Sequence, residues 1–329
     1  MQHVNTRESV AHFFHVDSDH VALTEFDGGF TNTKKYIIDV KNSHDIQKKY
    51  FIKTANINSH PLEAFLLESE AKMYQIFKKL GLTGFITPNF EGLIQNGTDN
   101  ILVLDFLSHV SFGYPWNSQT IEYLDKSLHS LHSVVLTEID KTQIMTLSNL
   151  VRRNLTQNSK QIDEKTLFMN AWKRECRYFN HALNSGENAE NNLPHQIIQR
   201  ASRYNLNSSV KLTLQDLNPT NIGFSATQAY LIDPVYATLG NPSLDRTIAG
   251  INILYKLNNS ADMRLKRSVV GRFIGDDSVL ATIIKTHVIN LIMHPDANNR
   301  EWQKYHRDCI AIALKLICRP WHEKLFFHY

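Results

Sequence analysis

The chain has 329 residues, 42% of them hydrophobic and 20% charged, with a formal net charge of +3. That length supports one large domain or two lobes around a sizeable core, and so small a charge gives no argument for a nucleic-acid partner. No window approaches the roughly 18 uninterrupted apolar residues of a spanning helix, and the start, Met1-Gln2-His3-Val4, has no secretory signal core.

No membrane association is expected, and a cytoplasmic setting fits best. Cys176, Cys309 and Cys318 are widely separated, show no metal-type spacing and suit a reducing compartment, with Cys309 and Cys318 expected in a helix as core filling. His129 and His132 are three apart with no third ligand near them, so no metal site is expected there.

In chain order, residues 23–26 read as a strand that enters Asp27-Gly28-Gly29-Phe30-Thr31-Asn32 and returns through 35–40. A Gly pair between β-rich runs signals a hairpin. A turn over 42–45 leads to a third strand over 49–54. A helix follows from about 61 to 80, opened by Ser59 and Pro61 and stopped by Gly81. Residues 100–107 form a buried strand after the Gln95-Asn96-Gly97-Thr98 turn. From about Ser108 the pattern becomes helical, with apolar residues at three- and four-residue spacing over 121–134 and 167–183. Residues 184–192 read as an exposed loop, and later helices are expected from Pro242 into Leu257, over 279–293 and over 301–318. The expected fold class is α+β, with a small sheet-rich lobe over 1–107 containing one helix and a larger, mostly helical lobe over 108–329.

The most informative stretch is Leu214-Gln215-Asp216-Leu217-Asn218-Pro219-Thr220-Asn221, followed by Tyr230-Leu231-Ile232-Asp233. Alone, an Asp five residues before an Asn is an Asx-turn as readily as a site. Its context is a strand over 222–224, a turn over 225–228 and a strand over 229–232. That hairpin returns Asp233 to the side of Asn221, where two side-chain oxygens can share one cation. One Asp to take an acceptor's hydroxyl proton and two oxygen ligands for magnesium on a nucleotide are the main equipment of phosphoryl transfer. The residues therefore read as a kinase.

Lys53, alone, is an edge lysine. The following helix changes that reading, because Glu70 falls within its apolar stripe of Leu62, Phe65, Leu66, Met73, Phe77 and Leu80, whereas Glu68 points away. A buried carboxylate requires a partner, and Lys53 is the obvious one, with Glu63 the weaker alternative to Glu70. Such a pair aims the ammonium at a nucleotide's phosphates. The Gly28-Gly29-Phe30-Thr31-Asn32 turn is either plain hairpin chemistry or a phosphate cover. Asp105 and Leu107 end a buried strand where their backbone groups can meet a purine edge. Asp245, at the start of a helix, is explained by the helix dipole alone, and His132 is expected to satisfy a buried hydrogen bond.

In this order the pieces resemble the aminoglycoside phosphotransferase family of small-molecule kinases, which includes choline and fructosamine kinase relatives. The family loop His-Gly-Asp-Leu-His-Pro-Gly-Asn is similar to residues 214–221, its Ile-Asp-Phe to Ile232-Asp233-Pro234, its Gly-Asp-Pro-x-x-Asp to Gly240-Asn241-Pro242-Ser243-Leu244-Asp245, and its Gly-Gly-x-Ser-Asn to Gly28-Gly29-Phe30-Thr31-Asn32. The resemblance spans about residues 20 to 260. It implies a bilobal, protein-kinase-like fold, ATP or GTP with Mg2+, and transfer of the γ-phosphate to a small hydroxylated acceptor such as an aminoglycoside, a sugar or an amino alcohol. It further implies Asp216 as catalytic base, Asn221 and Asp233 as metal ligands, Lys53 on the phosphates and Glu70 orienting it. Gln215, Asn218 and Pro234 depart from the family pattern. A nucleotide-binding pseudokinase or scaffold is the alternative from another class.

Overall fold

Alternating apolar residues in the first third of the chain build a five-stranded antiparallel sheet, and the computed structural model shows what covers each of its faces. The structure describes residues 2–26, 33–41, 47–84, 86–112, 116–156, 163–183, 192–204, 210–293 and 299–318. The elements begin α1 (Gln2–Phe14), β1 (Val21–Glu25), β2 (Lys34–Lys41), β3 (Gln47–Asn56), α2 (Pro61–Lys79), β4 (Phe90–Gln95), β5 (Asp99–Asp105) and β6 (Ser111–Phe112). They continue with α3 (Ser118–His132), α4 (Glu138–Thr156), α5 (Glu164–Leu183), α6 (Leu193–Ser202), β7 (Lys211–Thr213), β8 (Ile222–Phe224) and β9 (Ala229–Leu231). The last are β10 (Thr238–Gly240), α7 (Pro242–Lys256), α8 (Met263–Phe273), α9 (Asp277–Met293) and α10 (Arg300–Ile317).

The chain divides into two units. The first holds Met1–Phe112, Val134–Leu155 and Thr220–Ala237; the second holds Gly113–Ser133, Thr156–Pro219 and Thr238–Tyr329.

In the first unit the strand order is β1-β2-β3-β5-β4. Side chains alternate across a strand, so Tyr36, Ile38, Tyr50 and Ile52 pack on one face with Val10 and Ala11 of α1. Phe51, Ala55, Leu102 and Leu104 pack on the other with Ala64, Leu67, Ala71 and Tyr74 of α2. Both faces of β5 are therefore dry. Gly92 of β4 lets α1 lie close, because a Cβ there would meet the Phe13 ring at 2.7 Å.

The sequence reading had one helix in this region and missed α1. That segment, with Val4 as the one apolar side chain among its first eight residues, carries little apolar periodicity, and its face becomes legible only against the sheet. The strand β4 was also missed, since Phe90-Glu91-Gly92 interrupts the β pattern and the pairing itself slips between Phe90 and Gly92. A smaller sheet, ordered β6-β8-β9, completes the unit, and Lys79 at the end of α2 donates to Asp140 of α4 at 2.6 Å.

In the second unit, β7 and β10 pair antiparallel, with Thr213 opposite Thr238. A capping box starts α3: Asn117 accepts the N–H groups of Gln119 and Thr120, and Thr120 Oγ1 accepts the N–H of Asn117. The helices α5, α6, α9 and α10 share a core that includes Phe168, Trp172, Phe179, Ile197, Ile284 and Leu291. Cys309 is buried within α10, and the three cysteines are free thiols. The helices α9 and α10 match the periodicity of the sequence, whereas α4, α6 and α8 were not anticipated. Among the described residues no helix is long and apolar enough to cross a membrane.

Candidate functional site

Lys53 stands on β3 with the parity of Phe51 and Ala55, so its side chain emerges on the face that α2 covers. Glu70 lies on the buried side of α2, 4% exposed, as the apolar stripe predicted. Lys53 Nζ donates to both Glu70 carboxylate oxygens, at 2.8 and 3.0 Å, and approaches Asp233 Oδ1 at 3.3 Å. Glu68 pairs outward with Lys72.

Burial disfavours charge on Lys53, but Asp233 and Glu70 outweigh it and leave the ammonium pKa raised. Burial pushes the Glu70 carboxyl upward and Lys53 opposes it. A two-oxygen contact at these distances is the geometry of a charge-assisted pair, although burial first and Asp233 after it leave the Glu70 carboxyl raised to about 7.

Asn221 closes the short helical turn Pro219–Asn221 and precedes β8, while Asp233 follows β9. The β8–β9 hairpin pairs Ile222 with Leu231, and the N–H of Ile232 donates to the Asn221 carbonyl at 2.9 Å. These bonds bring the two positions to the same end of the hairpin, as expected. Asp233 adopts the left-handed conformation, φ 61° and ψ 58°. That region is sparsely populated by non-glycine residues, at an energy of about 1–3 kcal/mol. The hydroxyl of Tyr74, one helical turn after Glu70, accepts the Asp233 N–H at 3.4 Å. Sequence reasoning missed that tyrosine, which the i, i+4 relation to Glu70 signals.

Asp105 ends β5, and its N–H donates to the Asn89 carbonyl. Its carboxylate accepts from Asn89 at 2.8 Å and lies 3.0 Å from Lys48 Nζ. Burial would raise the Asp105 pKa, but these donors lower it on balance. Asp105 and Leu107 line a cavity of about 440 Å³ together with Lys48, Asn89, His109 and Tyr230. Gly28, Gly29 and Asn32 lie outside the described residues.

The Asp216 loop belongs to the second unit. Gln215 before it is left-handed, φ 61°. Asn218 donates to Asp216 Oδ1 at 3.0 Å, so this departure from the resembled pattern touches the carboxylate. Asp245, fully buried on α7, accepts the N–H groups of Leu214 and Gln215 at 2.8 and 2.9 Å and lies 3.2 Å from His132 Nε2. Asp245 does stand in the first turn of its helix, as the dipole favours, and its carboxylate is also the anchor of the loop. His132 has its expected buried partner. Asn252, two turns later on α7, donates to the Leu217 carbonyl at 2.8 Å and accepts from the Tyr305 hydroxyl at 2.6 Å.

The fold and these placements define a class: the α+β, protein-kinase-like fold of the choline and ethanolamine kinases and aminoglycoside phosphotransferases. No protein-family model matches the sequence, and no curated protein matches it. Among solved structures, a choline/ethanolamine kinase family protein of Mesorhizobium loti superposes with a TM-score of 0.57 at 12% identity, covering 99% of this chain and 98% of that one. The choline kinase LicA of Streptococcus pneumoniae gives 0.55 at 14% identity, covering 95% and 98%. A thermostable aminoglycoside phosphotransferase in ternary complex with AMP-PNP and hygromycin B gives 0.56 at 10% identity, covering 95% and 99%.

Proposed function

We propose that the protein is an ATP-dependent small-molecule kinase that transfers the γ-phosphate to a hydroxyl of a small acceptor, with ATP or GTP as donor. The observation that carries this reading is the buried Lys53–Glu70 pair with Asp233 beside it, in a chain that has the fold of such phosphotransferases. The structurally similar proteins are named for choline, ethanolamine and aminoglycosides. An alcohol on a small polar metabolite is the acceptor chemistry that unites them.

In this reading, residues 1–107 bind the nucleotide and 108–329 carry the catalytic loop and the acceptor. Lys53 holds phosphate oxygens, and Glu70 fixes its ammonium so that little side-chain freedom is lost on binding. The backbone groups of Asp105 and Leu107 meet the purine edge. Asp216 orients the acceptor hydroxyl and takes its proton.

Among the described residues no cluster of three or more His, Cys, Asp or Glu is placed to hold a metal. The fitting donor set is smaller and made of hard oxygens, the Asn221 amide and the Asp233 carboxylate at one end of the β8–β9 hairpin. Magnesium suits such a set, since it takes one or two protein carboxylates and fills its shell with phosphate and water. When bound there it neutralises charge on the phosphates.

The test is nucleotide consumption by purified protein against a panel of choline-like, aminoglycoside and sugar acceptors, with Asp216→Ala as blank. Turnover in the wild type alone supports the reading. Equal inertness of both across the panel, with Mg-ATP still bound, replaces it with a nucleotide-binding scaffold.

A further inference from the structure

The register of β2 on β3 sets Lys35 directly opposite Lys53. Directly paired residues of antiparallel strands project from the same face, with Cβ atoms about 4.5–5.5 Å apart. Both lysines therefore rise on the side that α2 covers. Like charges in that relation weaken a sheet, so the pair calls for a reason. Lys53 already contacts Glu70 and Asp233. Lys35 is half-buried and shares the same field: burial and Lys53 lower its pKa, while Asp233 and Glu70 act against them.

Two ammonium groups and two carboxylates balance only while both carboxylates face the lysines. Commit Asp233 to a divalent ion, and of these two carboxylates Glu70 alone still faces the lysines. The cluster then carries a surplus positive charge pointing away from the sheet.

We propose that Lys35 is a second phosphate-binding cation, which shares with Lys53 the triphosphate of the donor nucleotide. The inference rests on the phosphotransferase reading. It adds a residue that the sequence, with several strand lysines before Glu70, did not single out for the site. Lys35 acts on the phosphates and not on the base, so its contribution scales with the number of phosphates on the ligand.

The experiment is calorimetric titration of wild type, Lys35→Met, Lys35→Gln and Lys35→Arg with Mg-ATP, Mg-ADP and adenosine, and with the guanine series in parallel. Both neutral variants are expected to lose about tenfold to hundredfold in affinity for the magnesium triphosphate. The loss should be smaller for the diphosphate and absent for the nucleoside, and Lys35→Arg should retain most of the affinity. Unchanged triphosphate affinity in folded neutral variants overturns the proposal. So does an equal loss for triphosphate and nucleoside, which marks a merely structural role. If the wild type binds no nucleotide, the phosphotransferase reading fails and this inference falls with it. If the wild type binds and the neutral variants bind equally well, Lys35 alone is removed.

Discussion

The carboxylate of Asp245 accepts the backbone N–H of Leu214 at 2.8 Å, and through it α7 holds the upstream side of the loop that carries Asp216. The same helix holds the downstream side, where Asn252 binds the Leu217 carbonyl. Seven residues apart, the two are two turns apart along one helix face, so a single rigid element fastens the loop on both sides of Asp216. Asp245→Asn puts an amide donor against backbone donors in a dry site, and is expected to lower unfolding free energy by about 3 kcal/mol. Asn252→Leu leaves the Leu217 carbonyl unpaired and is expected to cost about 1–3 kcal/mol. Urea denaturation measures both.

For Asp216 the expectation separates chemistry from folding. Asp216→Ala should reduce turnover by roughly 10²–10⁴-fold, the scale of losing a general base, with Mg-ATP affinity and melting temperature close to wild type. A parallel collapse of nucleotide binding would show that Asp216 is not the base.

Asp233→Ala should abolish the thermal stabilisation that Mg-ATP confers, which for a ligand at 100 times its Kd is worth about 2.7 kcal/mol. Asn221→Ala should weaken it to a lesser degree. A differential scanning measurement with and without magnesium reads both, and a variant of Asp233 that keeps its full ligand-dependent shift contradicts the assignment.

The Lys53–Glu70 pair makes a prediction of opposite signs for stability and function. Glu70→Leu should destabilise by about 3 kcal/mol, the low end for breaking a buried pair, because Asp233 remains 3.3 Å from the ammonium. Combining it with Lys53→Met removes both charges and should restore most of that stability. The double variant should nonetheless bind Mg-ATP far more weakly than wild type. Equilibrium unfolding and nucleotide titration on wild type, the two single variants Glu70→Leu and Lys53→Met, and the double variant decide it.

Asp140 supplies an acid limb. Its carboxyl is held down to about 2 by Lys79 first, then by the side chain and backbone of Thr137. A carboxyl depressed in the folded state contributes stability above its ordinary pKa, and that contribution disappears as pH falls toward the folded value. Between about pH 4 and pH 2, wild type should therefore lose stability that Asp140→Asn never had. Melting temperatures of the two proteins should converge as pH drops through that window. Curves that stay parallel would remove Asp140 from the account.

Much of the candidate site was legible because its chemistry is local in sequence. The 216–221 loop, the β8–β9 hairpin and the placement of Glu70 in an apolar stripe all follow from short-range spacing, and the structure brings Lys53, Glu70 and Asp233 together. What escaped depends on partners distant in the chain. Asp245 has a sufficient local explanation at a helix start, and nothing in its neighbourhood points to Leu214, 31 residues away. Asn252 sits among apolar helix residues, and its partner Tyr305 lies 53 residues later. Lys35 gains meaning only from strand register. The helix α4 hid because its buried stripe includes Asp140 and Ser148 beside Ile144 and Val151, which blurs the apolar period.

The helix α1, laid across the sheet face opposite α2, has a practical consequence for anyone handling this protein. Trimming the chain back to the first strand would strip the cover from Tyr36, Ile38, Ile52 and Val103 and leave a broad greasy surface facing water. Such a truncation is expected to precipitate or self-associate on expression even though every residue of the candidate site remains, so deletions belong elsewhere.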